Sequence, residues 1–476
     1  MFFLLQFLFV SLIGSSQETK IWTLEDCINY ALDNNLSLKK QDLMISNQEE
    51  LLLQSKLGIL PNLNGYASHG YNWGQRIDPF TNEFATDRVR SNNLYLQGDL
   101  NLFSGMQQLN TIKRNMLDLR SAQYDADYYS DEISISVATQ YLQTLFYIEY
   151  VTIANNQIDI TRQQVDRTAK LVEAGTLAKG DQLTIEAQLA SEELSLVEAE
   201  NNLALSYLDL TQLLELPTPK GFVIEKPELG LIQQPEIFTP EQIFGVAVQE
   251  RPEIKSAETK LESSQKTLSI AKGGYYPSLS LNGSLGSGYS GANVIGSNPI
   301  SIEREFGYWY TSDPSNPVVP VYGIQDGFES YSAKPWGDQL EDNLNESVGL
   351  NLRIPIFNGW VTNSSVSRAK INVESATLDV QMQKNSLYKI IQQSYNDALA
   401  AFNKHKAADK KVNATRESFN YAEQKFNVGL INSVEYNNAK KEYNNALSEL
   451  IQAKYDFVFR TTVIDFYMGK PLTLKR

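Results

Sequence analysis

The chain has 476 residues, 42% of them hydrophobic and 20% charged, with a formal net charge of −15. That acidic balance excludes a nucleic-acid binder, because phosphate contacts need Lys and Arg in surplus on one face, and no such cluster occurs. The single cysteine, Cys27, excludes an intramolecular disulfide framework, so stability has to come from packing or assembly.

The first residues, MFFLLQFLFVSLIGSSQ, run apolar to Ile13 and then offer Gly14, Ser15 and Ser16, small residues suited to cleavage near Gln17. A signal peptide over 1–16 is expected, although no Lys or Arg precedes its apolar run. The alternative is an N-terminal anchor, for which the run falls short of the ~20 residues that span a bilayer. Cys27 follows no small-residue lipobox and lies in a helical pattern, so it is not read as a lipid anchor. Beyond Gln17 no stretch approaches ~18 apolar residues, so a later membrane crossing has to be made by strands.

A helical pattern covers 24–57. Strand candidates follow at 61–73 and 93–103. In the second, Leu94, Leu96, Leu100 and Leu102 alternate with Tyr95, Gln97, Asp99 and Asn101, the period of a half-apolar strand. Residues 106–174 then contain neither Gly nor Pro and read as one long helix. After Gly175 a return helix runs over 181–216 and stops at Pro217.

The same order recurs, and it divides the chain into repeats at 17–230 and 231–476. Ala31 and Asn35 are answered by Ala247 and Arg251, and Pro61 by Pro277, all 216 positions later. From Phe103 and Gly105, matched by Phe357 and Gly359, to Gly175, matched by Gly429, the spacing is 254. The difference of 38 positions is an insertion in the second half. It lies within an enlarged loop over 287–343, rich in Gly, Pro, Ser and aromatics and without sustained periodicity. Around that loop the second repeat reads as helices over 240–272, strands 276–286 and 346–357, long helix 360–428 and return helix 434–468. In its last strand Val348, Leu350, Leu352, Ile354 and Ile356 face one way, opposite Ser347, Asn351 and Arg353.

Four alternating strands suit a barrel wall with lipid on one side and water on the other, but small membrane barrels need about eight. An unpaired strand edge in hydrocarbon is costly, so several copies must contribute to one barrel. A 69-residue helix spans roughly 100 Å and needs partners along its length.

These elements, with LEDCINYALDNN near the start, LPNLNG and YPSLSLNG before the hairpins, LNLFSG and LRIPIFNG after them, and VGLINSVEYNNAKKEY at the second tip, resemble the TolC family of outer-membrane efflux and export proteins. The resemblance covers nearly the whole chain. It implies a mainly α protein with a membrane β-barrel: a homotrimer whose twelve-stranded barrel sits in outer-membrane lipid and continues into a twelve-helix periplasmic tunnel. It also implies partners, a periplasmic membrane-fusion (adaptor) protein and an inner-membrane pump. The duct itself would be passive, exporting substrates in a tripartite efflux or type I secretion system.

In the family, two acidic residues ring the closed entrance. Here Glu435 retains the acid and Asn438 does not. Asp181 holds the corresponding place in the first repeat, where it also reads as an ordinary helix start. Glu435 likewise reads as a first-turn acid favoured by the helix dipole. Gly175 and Gly429 are expected at tip turns where a side chain would clash, and the resemblance adds adaptor contact there. The tyrosine and arginine of the family's entrance lock align with Phe426 and Ile431, which cannot form that ionic network.

An enzyme is not expected. The only histidines, His69 and His405, lie far apart, with neither GxSxG nor HExxH nor metal-ligand spacing, and no cofactor or metal is assigned. His69 reads as a polar loop or lumen residue and His405 as part of a solvated helix face. The competing reading is a periplasmic coiled-coil scaffold or adaptor without a pore. Adaptors usually lack duplicated amphipathic strands.

Overall fold

The structure is a computed structural model that describes residues 20–85, 88–227 and 238–473. The signal peptide expected over 1–16 and the repeat boundary expected at 230/231 lie outside the described residues. The chain forms two compact units. One comprises 1–51, 114–264 and 371–476, the other 52–113 and 265–370.

The first unit is helical. It opens with the short strand β1 (Ile21–Trp22) and α1 (Leu24–Asn34). Thr23 and Asp26 form a reciprocal capping box that fixes the start of α1. Within the helical pattern over 24–57 the chain breaks at Asn35. Asn35 takes extended backbone angles (φ −59°, ψ 127°), and its side-chain oxygen accepts from the amides of Ser37 and Leu38, starting α2 (Leu36–Leu57). The corresponding pattern over 240–272 likewise divides at Arg251, which Pro252 biases away from helical angles.

Its further helices are α4 (Lys179–Leu213), α5 (Pro240–Glu250) and α9 (Ser433–Tyr467), with most of α3 (Gln107–Glu173), α6 (Pro252–Gly273) and α8 (Val361–Asn427), whose remaining residues fall in the second unit. Gln107 and Val361, the first residues of α3 and α8, are 254 positions apart, and so are their last residues; α4 and α9 obey the same spacing. A core of Leu24, Cys27, Val137, Tyr141, Leu145 and Leu210 is closed by Ile451, Tyr455 and Phe459 of α9. Tyr141 carries its hydroxyl through this core to donate to the carbonyls of Trp22 and Glu225, pinning the parallel pair β1·β6 (Val223–Ile224). Cys27 is fully buried, and burial pushes its thiol up to about 12.

The second unit is built on an antiparallel sheet ordered β10–β7–β5–β2: Asn345–Arg353, Ser278–Ser290, Val89–Ser104 and Asn62–Asn72. Within it, Asn62 pairs with Asp99 and Ser278 with Arg353, the same register under the 216- and 254-residue spacings. Two local features depart from the alternation read in sequence. A bulge skips Leu102, so Phe103 rather than Leu102 continues the apolar face opposite Leu279. Strand β10 ends at Arg353, because Pro355 cannot donate to a ladder, and this leaves Ile354 and Ile356 beyond the sheet.

The segment over 287–343 is more than a loop. It contains an antiparallel hairpin, β8 (Val294–Tyr310) with β9 (Val318–Ala333), and the short helix α7 (Trp336–Asp342). Alternation is blurred there because apolar and aromatic residues stand on both faces, with Pro299 and Pro320 inside the strands and a bulge at Gly307. From α7, Gln339 acts as a piece of strand: its amide accepts from Ser290 N at 2.9 Å and donates to Ser290 O at 3.0 Å, covering the edge of β7 above the end of β10. The small hairpin β3 (Arg76–Ile77) with β4 (Phe84–Ala85) is turned by Asp78, whose carboxylate accepts from the amides of Phe80 and Thr81 and from the hydroxyl of Ser290.

Candidate functional site

The four-stranded sheet sorts its side chains by face. Across β10, β7, β5 and β2, the row Ser347, Ser284, Gln97 and Asn64 is followed by Val348, Gly283, Gly98 and Leu63. The apolar side continues through Leu350, Leu281 and Leu100, and the polar side through Asn351, Ser280 and Asn101. Polar-face neighbours bond to one another: Ser284 and Ser347 share a hydroxyl contact at 2.7 Å, and Asn351 donates to Asn282 at 2.9 Å. One side is therefore suited to hydrocarbon and the other to water. The outer edges of β10 and β2 have no partner among the described residues. His69 lies on β2 with its ring against Asn92, rather than in a loop. His405 is half-buried rather than solvated, and that desolvation lowers its pKa.

The two helix-to-helix turns are built alike. Gly175 (φ +75°) donates its amide to Val172 O, and Thr176 to Leu171 O; Gly429 (φ +76°) donates to Phe426 O, and Leu430 to Lys425 O. These are Schellman closures, which need a left-handed residue. At either glycine a side-chain carbon would meet no atom within 4 Å, so backbone angle and not a clash selects glycine.

Around these turns the site residues divide. Glu435 and Asn438 are both exposed on α9. Asn432 caps this helix by accepting from the Glu435 amide at 2.9 Å. Asp181 instead accepts from the Ser433 hydroxyl at 2.8 Å, joining α4 to α9. Phe426 and Ile431 belong to an apolar cluster with Ile185, Phe419 and Tyr436, in which Phe426 stacks on Tyr436 at 4.8 Å. Apolar packing thus occupies the two positions that align with the family's ionic lock.

Polar links that the sequence did not single out flank this cluster. Arg167 on α3 donates to Asn427 Oδ1 at 2.5 Å. Deeper, the Lys440 side chain is only 2% exposed, and its ammonium reaches Glu192 Oε1 at 3.1 Å, Gln157 O at 3.3 Å and the Thr161 hydroxyl. Burial lowers the Lys440 pKa, and Glu192 opposes that shift. In the sequence Lys440 stands beside Lys441 and Glu442 and resembles a solvated helix face. The heptad spacing of Phe419 to Phe426 and of Tyr436 to Tyr443 was the legible signal of a packed seam.

An amphipathic sheet carried on one chain with helices of 67 residues is the architecture of a channel-type transport protein. Residues 27–215 and 329–469 match the outer membrane efflux protein family, and the chain belongs to that family. It is 21% identical to the outer membrane protein TolC of Vibrio cholerae, covering 95% of this chain and 92% of that one, and 22% identical to TolC of Escherichia coli, covering 97% and 85%. Its fold is similar to the CmeC outer membrane channel of Campylobacter jejuni, with a TM-score of 0.72 at 16% identity over 94% of this chain and 86% of that one. The protein is therefore an outer-membrane efflux channel.

Proposed function

We propose that the protein works as a homotrimer. Three copies of the four-stranded sheet close a twelve-stranded barrel in outer-membrane lipid, and the long helices form a twelve-helix periplasmic tunnel. A periplasmic adaptor and an inner-membrane pump supply energy and cargo, in a tripartite efflux or type I secretion system. The duct carries no catalysis and binds no nucleic acid. The observation that carries this reading is the sheet: one face of Leu, Val, Gly and Ala, one of Asn, Ser and Gln, and two edges without a partner among the described residues, which hydrocarbon does not tolerate.

In this reading the turns at Gly175 and Gly429 meet the adaptor. Glu435 and Asn438 line the entrance, and three copies of Glu435 favour cations there. Asp181, held by Ser433, contributes by fixing α4 against α9. The cluster around Phe426 and Ile431 holds the closed state by packing. The β8–β9 hairpin caps or narrows the outer mouth. The reading is tested by fractionating membranes and running unheated samples on denaturing gels. A heat-sensitive trimer in the outer-membrane fraction supports it, and a soluble monomer overturns it.

A further inference from the structure

The two long helices carry one acid at the same place. Asp125 on α3 and Asp379 on α8 stand 254 positions apart, the spacing that relates these helices throughout. Helix α6 reaches both helices: its Ser256 and Lys260 bond to Asp125, and its Glu258 pairs with Lys384 of α8. Among the three helices, wholly within the first unit, lies a cleft of about 430 Å³. Asp125, Glu253 and Asp379 line it, and Tyr128, Ala257 and Ala376 supply apolar wall. Small-molecule sites span roughly 300–1,000 Å³, so the cleft is large enough for an organic ligand.

Two of its acids have acceptor capacity to spare. The Glu253 side chain is only 10% exposed; its Oε1 accepts from Arg251 at 3.3 Å, whereas its Oε2 is buried with no hydrogen-bond partner. A carboxylate oxygen left without a donor inside a folded chain is costly and uncommon. Arg251 is already committed, to Asp131 at 3.0 Å and over the ring of Phe466 at 4.4 Å. Lys260, the one cation lining the cleft, is committed to Asp125 at 2.8 Å. Asp379 is exposed and makes neither ion pair nor hydrogen bond among the described residues. Three carboxylates therefore line the cleft against one ammonium. Their field reaches the next residue inward: burial raises Asp131 to about 6, and Glu253 adds to that rise against the pull of Arg251.

The ligand that answers this lining carries positive charge on an apolar body. A metal ion fits poorly, because hard cations need several oxygens converging on one point, and no such group of three or more acids, histidines or cysteines occurs among the described residues. The N–H donors of an ammonium suit carboxylates set apart on different helices. Its hydrocarbon suits the two alanines, and an aromatic ring such as Tyr128 favours a cation beside it.

We propose that the cleft between α3, α6 and α8 binds an organic ammonium ion, which donates to Glu253 Oε2 and Asp379 and lays its hydrocarbon on Tyr128, Ala257 and Ala376. The site is separate from the entrance, since Asp379 stands roughly 70 Å along α8 from the turn at Gly429.

The test is calorimetric titration of the full chain in detergent, blanked against protein-free micelles, with phenethylammonium and with phenethyl alcohol, which has the same body without the charge. The ammonium should saturate one site per chain and bind at least about tenfold more tightly than the alcohol. Glu253→Gln and Asp379→Asn should each weaken it about tenfold. Glu374→Gln, on the exposed face of α8 outside the cleft, should leave it unchanged. Asp379 is exposed, so its variant carries the test even where the buried Glu253→Gln does not fold. Absence of a saturable site, equal binding of the alcohol, displacement of the ammonium by magnesium ion at equal concentration, or an Asp379→Asn protein that binds as the parent does would each overturn the proposal.

Discussion

Replacing Glu192 with Gln removes the charge beside Lys440 while keeping the shape of the side chain. The Lys440 side chain is 2% exposed, and its ammonium would keep only neutral acceptors: the Thr161 hydroxyl, the Gln157 carbonyl at 3.3 Å and the amide oxygen of the new glutamine. Breaking a buried pair from one side costs about 3–5 kcal/mol, and the retained amide oxygen puts this case near about 3 kcal/mol. At an unfolding entropy of about 2 cal/mol/K per residue, a chain of this length loses roughly 1 °C of melting temperature per kcal/mol, so a drop of about 3 °C is expected. Adding Lys440→Met should recover most of it, since Thr161 keeps its bond to Gln157 O at 3.0 Å. A folded-state lysine pKa below its unfolded value means that the unfolded chain binds more protons just below pH 10.5, so this site adds stability as pH rises there. Glu192→Gln should move that gain to lower pH. Thermal scans of the detergent-solubilised protein by intrinsic fluorescence measure all three effects. A single variant within about 0.5 °C of the parent, or a double variant as unstable as the single one, would refute the reasoning.

Gly105→Ala should be far more damaging than Gly175→Ala. Both glycines have positive φ, which costs another residue about 1 kcal/mol, but an added carbon at 105 would also stand 2.3 Å from the carbonyl oxygen of Gly273. Comparing folded yield and melting temperature checks this, and equal losses would contradict it. Asp131 is held up to about 6, first by burial and then by neighbouring Glu253 against the pull of Arg251. The native state therefore keeps a proton that the unfolded chain releases from about pH 4, and this site loses stability as pH rises to about 6. The melting temperature of Asp131→Asn relative to the parent should climb over that window, and a flat difference would show that Asp131 titrates normally. Glu435→Gln should reduce cation preference in bilayer recordings, and unchanged selectivity would remove Glu435 from the entrance.

Some of this architecture is written openly in the sequence. The long helices are legible because nothing in them interrupts a helix, and the strands because Leu alternates with Asn, Ser and Gln on a sheet with one apolar and one polar face. The break at Asn35 is harder to see, since a cap formed by one side chain leaves the helical pattern intact on both sides. The bulge at Leu102 shifts one residue and shows only when two strands are paired. The β8–β9 hairpin hides because both its faces carry apolar residues, and period-two reading needs one face to differ from the other. At the tip, Glu435 was singled out through family likeness alone. Lys440 was not, because burial of a lysine depends on what two other helices bring to it.

Conductance across a planar lipid bilayer tests the duct most directly. Purified protein added to one side should insert in discrete steps of uniform size with a preference for cations. Protein that inserts or associates without opening any ion path, at either polarity and at high salt, would contradict the account.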